Sequence, residues 1–330
     1  MSRVLVTGAT GFLGGHVAEA LAARGDQVRA LVRKTSNTKH LKKLALAGNV
    51  ELFEGSIEQV DRVTEAVDGV DAIVHCAGIV KARSTDEFFA VNVGGTSNLV
   101  EAARQRGKSL KRFVHVSSLE ACGPSADGEP VPSDQENPVT GYGRSKLAAE
   151  KVVLSARGAM PVVILRPAAI YGPRDVEILD AFKSIQRGLF PVINGGRSKT
   201  IWIYATDCAN ACLRALDADV PSGSTYFVDD GCGAIDMTQM FADFERALGK
   251  KAMRAPLPMP LLRTVARGVE MFGRLTNRPV MLTREKANML VQDWVCSSET
   301  TRKDLAWEPA VPWSEGVPKA VAWYRENGWL

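Results

Sequence analysis

Short apolar or β-branched runs recur through the first half of the chain: Val4–Val6, Gln27–Val32, Val50–Phe53, Ala72–Val74 and Phe113–Val116. Each is too short for a helix and is bounded by turn-forming or charged residues, as buried strands are. Amphipathic segments such as Phe12–Arg24 and Phe88–Arg106 lie between them at helical spacing. Repeated βα units of about thirty residues build a parallel sheet, buried on both faces and joined by right-handed crossovers. The pattern therefore predicts an α/β fold, a doubly wound parallel sheet with a ligand crevice where the strand order reverses.

The stretch Cys122–Gly141 breaks this rhythm with Pro124, Pro130, Pro132 and Pro138 and reads as a long surface loop, functional or merely connecting. Val162–Leu165 and Thr225–Val228 predict two further sheet strands. Residues 1–172 are expected to form the sheet domain, with returns to it near 200–230. Residues 173–330, less periodic and more helical, are expected to form a smaller, mainly helical C-terminal substrate lobe. In Pro256–Leu275, Leu257, Leu261, Leu262, Val265, Val269 and Phe272 fall at roughly helical spacing among arginines. A core-facing helix is the favoured reading; a helix lying on a membrane surface and an apolar lid over the substrate are the alternatives.

The 330 residues are 45% hydrophobic and 24% charged, which excludes disorder and fibrous rods. A net charge of +4 makes no case for a nucleic-acid partner. Six cysteines without a CxxC pair argue against a disulfide scaffold or a zinc finger, and nothing predicts a metal site. Buried reduced thiols, Cys208 and Cys212 among them, suit a reducing compartment. The chain starts directly in Arg3-Val4-Leu5-Val6, and no run of about eighteen apolar residues occurs. The expectation is a cytoplasmic protein without a transmembrane segment.

Directly after the first strand comes Thr7-Gly8-Ala9-Thr10-Gly11-Phe12-Leu13-Gly14. Glycines at 8, 11 and 14 allow a tight turn and a close backbone approach to a pyrophosphate. The helix that follows aims free N–H groups and its positive end at that anion. Strand before and helix after make this a Rossmann-type dinucleotide turn. The second strand ends Leu31-Val32-Arg33-Lys34, without the carboxylate that grips a ribose diol. A guanidinium at Arg33 can instead pair with a 2′-phosphate, which favours NADP(H) and leaves NAD(H) second.

Tyr142 and Lys146 stand four apart on a predicted helix and share one face. A free phenol, with a pKa of about 10, is a poor base at neutral pH, and an adjacent ammonium lowers it. Val114-His115-Val116-Ser117-Ser118 is a strand delivering two serines to the ligand-binding edge of the sheet.

The glycine turn, the serine pair and the tyrosine–lysine pair, in this order and spacing, resemble the extended short-chain dehydrogenase/reductase superfamily. His75-Cys76-Ala77-Gly78, Val91-Asn92-Val93-Gly94-Gly95-Thr96 and Leu165 through Pro173 extend the likeness over nearly the whole chain. The resemblance implies Tyr142 as catalytic acid/base, Lys146 lowering its pKa and holding the nicotinamide ribose, Ser118 orienting the reacting oxygen, and Asn92 stiffening the site. It implies cofactor contacts from Gly8, Thr10, Gly11, Phe12, Leu13, Gly14, Arg33, Cys76, Ala77, Gly78 and Ser117, with Pro167, Ala168 and Ile170 along the nicotinamide. On the adenine side, Ser56 and Ile57 replace the family's usual acidic residue.

Sugar-nucleotide epimerases and dehydratases of this superfamily typically carry an Asn where this chain has Ala169, and often an Arg-Asp pair where it has Thr200-Ile201. Ser117-Ser118-Leu119-Glu120-Ala121-Cys122-Gly123-Pro124 is similar to the matching stretch of 3β-hydroxysteroid dehydrogenases. Val28–Arg33 and the tail from Trp307 to Leu330 are similar to dihydroflavonol 4-reductase and its relatives. The resemblance thus implies hydride transfer between NAD(P)(H) and a secondary alcohol or ketone on a bulky, apolar small molecule, in a homodimer formed through Phe88–Arg106 and the helix from Tyr142. The alternatives are a nucleotide-sugar epimerase or dehydratase with retained NAD, and a non-enzymatic cofactor sensor.

Overall fold

The computed structural model describes residues 2–106, 109–276, 278–280 and 282–330. Seven strands form its central sheet: β1 (Arg3–Thr7), β2 (Gln27–Val32), β3 (Val50–Glu54), β4 (Ala72–His75), β5 (Arg112–Val116), β6 (Val162–Pro167) and β7 (Ser224–Val228). Their spatial order is β7-β6-β5-β4-β1-β2-β3, and every neighbouring pair is parallel. Thr7 registers with Leu31 on one side and His75 on the other. The strand order reverses between β1 and β4, so the loops after these strands part there and open a crevice. Because all seven strands run the same way, the glycine turn, Arg33, Cys76–Gly78, Ser117–Ser118 and Pro167–Ala168 all leave the sheet at one edge.

Alternation along the strands supplies two cores. Val4, Val6, Val28, Val74, Val114 and Val163 face α1 (Phe12–Arg24) on one side, together with the helix Ala205–Asp217. Leu5, Leu31, Ile73, Phe113, Val162 and Ile164 face α2 (Gly95–Arg106) and α3 (Gly141–Ser155) on the other. A third, aromatic core gathers Tyr171, Phe182, Tyr204, Phe241, Phe244, Trp313 and Tyr324 under the C-terminal half.

Two expectations need correction. Phe88–Arg106 is not one continuous helix: after a short turn at Thr85–Phe88, residues Phe89–Gly94 form a π-helical segment, and α-helix resumes at Gly95. The extra residue of the π turn swings Asn92 inward, where it is buried. In the second case, strand Met253–Leu257 precedes α4 (Met259–Thr276), and among its described hydrophobic side chains only Leu262 and Ala266 are fully buried. Leu261, Val265, Met271, Phe272 and Leu275 are exposed, so a core-facing helix accounts for one face only. The thiol expectation holds for Cys122, Cys208, Cys212 and Cys296, whereas Cys232 is exposed and Cys76 half-buried.

Candidate active site

The glycine turn is shaped by what it cannot accommodate. Gly8 adopts φ +73°, and a Cβ there would lie 2.7 Å from the Ala77 nitrogen. At Gly14 it would lie 2.6 Å from the Gly8 carbonyl carbon. Gly11 caps α1 without a side chain, its own N–H donating to the Gly8 carbonyl at 2.9 Å. The first-turn amides of α1 are thus left for an anion, and the cradle has the backbone clearance a pyrophosphate needs. Arg33 lies exposed just beyond β2 and, among the described residues, makes no side-chain hydrogen bond or ion pair. Beyond β3, the Ser56 hydroxyl donates to Glu58 (3.2 Å), while Ile57 is buried against Gly95.

A buried polar chain ties the turn to α3. The Thr7 hydroxyl meets His75 Nδ1 at 2.6 Å, and His75 Nε2 meets the Thr96 hydroxyl at 2.8 Å. Thr96 donates to the Asn92 carbonyl at 2.5 Å. The Asn92 amide donates to the Ser145 hydroxyl (2.9 Å) and the Ile79 carbonyl (3.1 Å), while its oxygen accepts from the Ile79 N–H (2.7 Å). Asn92 therefore pins α3 to the loop after β4. Burial, helped by the Lys146 charge, lowers His75 to about 3, so it is neutral.

Tyr142 and Lys146 rise from the first turns of α3, which Thr140 caps by accepting from the Gly143 N–H at 2.9 Å. Lys146 donates to the Val116 carbonyl at 2.6 Å, and burial lowers its pKa to about 8 against the opposing pull of Glu150 and Cys76. The Tyr142 phenol is pushed above its ordinary value, first by burial and then by the neighbouring Glu120 charge; a hydrogen bond with Ser118 pulls the other way. Ser118 pulls the phenol down, while the Lys146 ammonium donates to the end of the strand. The phenol is therefore protonated at neutral pH. Burial also raises Cys76, to about 12, leaving an inert thiol.

Ser117 parts from Ser118. Its hydroxyl donates to Glu150, which also takes two hydrogen bonds from Arg166 at 2.9 and 2.7 Å. Burial pulls the guanidinium down, and the Glu150 hydrogen bond and charge more than restore it. The Ser117 side chain is thus committed to Glu150 beneath the sheet edge. Pro167 and Ala168 are buried at the end of β6, and Ile170 is half-buried just beyond.

A cleft of about 530 Å³ opens over Tyr142, with Val80, Phe88, Glu120 and Thr140 on the sheet side. Arg263, Arg267 and Glu270 of α4, together with Arg278 and Val280, line it from the lobe. Two residues given no role in the sequence reading matter here. Glu120 accepts from the Thr140 hydroxyl at 2.7 Å, and its pKa is raised by burial. Glu285 reaches from the lobe to accept from the Gly141 N–H (2.6 Å) and from Arg144 (2.7 Å). A carboxylate at the N-terminus of α3 is favourably placed against the helix dipole and fastens the C-terminal part of the chain to α3. Glu120 sits inside a motif visible in the sequence; Glu285 carries no local signal.

Residues 4–228 match the model of the NAD dependent epimerase/dehydratase family. The chain is 32% identical to a ceramide reductase of Caulobacter vibrioides, over 99% of this chain and 96% of that protein. It is 30% identical to a 3β-hydroxysteroid dehydrogenase/Δ5→4-isomerase of Mycobacterium tuberculosis, over 98% of this chain and 90% of that one. Its fold is that of UDP-glucuronic acid 4-epimerase from Bacillus cereus, solved with UDP-glucuronic acid and NAD (TM-score 0.79, 20% identity, 98% and 99% of the two chains). The clearance at Gly8 and Gly14, the uncapped start of α1 and the matched span fit one nicotinamide-dependent lineage: the chain belongs to the NAD dependent epimerase/dehydratase family.

Proposed function

We propose that the protein is an NADP(H)-preferring oxidoreductase that interconverts a ketone and a secondary alcohol on a bulky, largely apolar molecule. The observation that carries this reading is the Tyr142 side chain in the lining of the 530 Å³ cleft, with Ser118 close enough to act on the phenol and Lys146 one helical turn away. The glycine turn would hold the diphosphate and Arg33 the 2′-phosphate. Lys146 would bind the ribose, and Pro167, Ala168 and Ile170 would flank the nicotinamide. When bound, the cofactor supplies the hydride. Ser118 and Tyr142 together hold the substrate oxygen, and the protonated phenol passes its proton to that oxygen as negative charge develops there. Lys146 offsets the phenolate left behind, and the same groups serve the reverse direction. Reductase and steroid-dehydrogenase relatives support this chemistry, and the cleft volume suits a bulky substrate. A homodimer contact would run through Phe88–Arg106 and α3.

The arginines at 263, 267 and 278 favour a second reading, because a sugar-nucleotide diphosphate could pair with them. That reading requires NAD retained through dialysis and turnover of a UDP- or GDP-sugar without added cofactor. Titration with NADPH and NADH, followed by a ketone panel of sterols, flavonoids and 3-keto acids, tests the first. NADPH should bind at least about tenfold tighter, and Arg33→Asp should erase or invert that margin. Equal affinities in the unaltered protein would refute the NADP preference.

A further inference from the structure

Charge is unevenly spread around the cleft that holds Tyr142. Among the described residues, seven Arg and Lys line it against three Glu, a surplus of +4 that equals the net charge of the entire chain. On the sheet side the cations are matched by carboxylates outside the lining: Lys81 faces Glu177 at 3.5 Å, and Arg83 pairs with Glu87 at 2.8 Å. On the other side the acids are already engaged. Glu270 accepts from the Arg284 N–H (2.6 Å) and its guanidinium (2.9 Å), and Glu285 from the Gly141 N–H and Arg144. Glu120 is hydrogen-bonded to Thr140, and the nearby cation that acts on it is Lys286. Among the described residues this leaves Arg263, Arg267 and Arg278 without a carboxylate.

These three guanidiniums are placed for a ligand. Arg263 and Arg267 stand one turn apart on the face of α4 that lines the cleft. Arg263 donates from Nε to the Asn288 side-chain oxygen at 3.0 Å, which steadies its planar fork while the terminal nitrogens stay available. Among the described residues, neither Arg267 nor Arg278 makes a side-chain hydrogen bond. Like charges gathered around one cleft repel each other, and they concentrate an anion there. A guanidinium grips a carboxylate with two parallel hydrogen bonds. The sheet side differs: Val80 and Phe88 share the lining with Tyr142, and the Phe88 and Tyr142 ring centroids are 6.0 Å apart. One cleft therefore offers hydrocarbon beside the phenol and uncompensated positive charge on α4.

We propose that the substrate is a keto acid, a ketone whose own carbon skeleton carries a carboxylate that Arg263, Arg267 and Arg278 hold while the ketone oxygen meets Tyr142. The inference rests on the hydride-transfer reading above and narrows its substrate class. It accounts for the arginines without a sugar nucleotide. The test compares 3-oxodecanoate, 5-oxodecanoate and 7-oxodecanoate with their methyl esters, which keep the skeleton and remove the charge. Binding to the full chain in the presence of NADP+ or NAD+ is measured by calorimetry, and NADPH oxidation gives kcat/KM. At least one acid should be favoured over its ester by about tenfold or more in both measurements, and the margin should shrink as salt rises to about 0.5 M. Arg263 and Arg267 are exposed, so their replacement should leave thermal stability intact. In Arg263→Gln, Arg267→Gln the acid-over-ester ratio should fall at least about tenfold, and Arg263→Lys, Arg267→Lys should keep part of it. Acids that bind and respond to these variants without being reduced would uphold the anion site and refute the hydride-transfer reading. No binding of any acid, esters as good as acids, or a ratio unchanged in the glutamine variant would overturn the inference and leave hydride transfer to neutral ketones. Binding of UDP-glucose that the glutamine variant abolishes, with no acid bound, would overturn it in favour of a diphosphate.

Discussion

Glu150 is the point where the stability of the sheet edge and the placement of Ser117, next to Ser118, meet. Its carboxylate, 2% exposed, takes two hydrogen bonds from Arg166, 6% exposed, and a third from Ser117. Glu150→Gln keeps the shape and removes the charge. It leaves a buried guanidinium without its counter-charge, held by the Ser133 carbonyl at 2.6 Å and by one amide oxygen in place of two carboxylate oxygens. Breaking one half of a buried pair costs about 3–5 kcal/mol, because the remaining charge stays desolvated without compensation. Against a total stability of about 5–15 kcal/mol this is a large fraction. At roughly 2 °C per kcal/mol for a chain of this length, Tm should fall by about 6–10 °C. Replacing both partners, Glu150→Leu with Arg166→Met, removes the charges together and should recover much of the loss. Urea and thermal unfolding of the two single variants and the double one measure this. A loss below about 1 kcal/mol in Glu150→Gln, or a double variant weaker than both singles, would refute the reasoning.

Two pH dependences follow from groups near the site. His75 is held near 3 by burial, against an unfolded value near 6.5, so its contribution is complete above pH 6.5 and is lost as pH falls toward 3. Between pH 6 and 4, unfolding free energy in His75→Gln should be flatter than in the unaltered protein by about 1.4 kcal/mol per pH unit. Parallel curves would contradict the burial of a neutral imidazole; the comparison is needed because Asp175, raised by burial to about 7, shifts stability in the opposite sense over the same range. Lys146, lowered to about 8, loses its charge above that pH. The reduction rate should fall there with a single-proton limb that Lys146→Arg moves out of range, and a rate flat to about pH 9.5 would argue that the lysine charge is not used.

All seven strands of the sheet are legible in the sequence because strands buried on both faces read as uninterrupted apolar runs. Parallel topology then carries the glycine turn, the serines and the tyrosine helix to one edge without further information. What the sequence conceals depends on contacts between distant segments. The π turn at Phe89–Gly94 leaves no mark on the helical period, yet it determines that Asn92 faces Ser145. Ser117 and Ser118 are equivalent as letters; strand alternation turns one toward Glu150 and the other toward Tyr142. In α4 the spacing of apolar residues announces a helix but not which of its faces the fold covers.

The central claim is that the Tyr142 phenol gives its proton to a substrate oxygen. Stopped-flow measurement of NADPH oxidation by Tyr142→Phe, against a ketone accepted by the unaltered protein, tests it most directly, with cofactor affinity measured on the same sample. Turnover should drop by at least about a hundredfold while the NADPH dissociation constant stays within about twofold. A variant that still reduces the ketone within about threefold of the normal rate would contradict the claim.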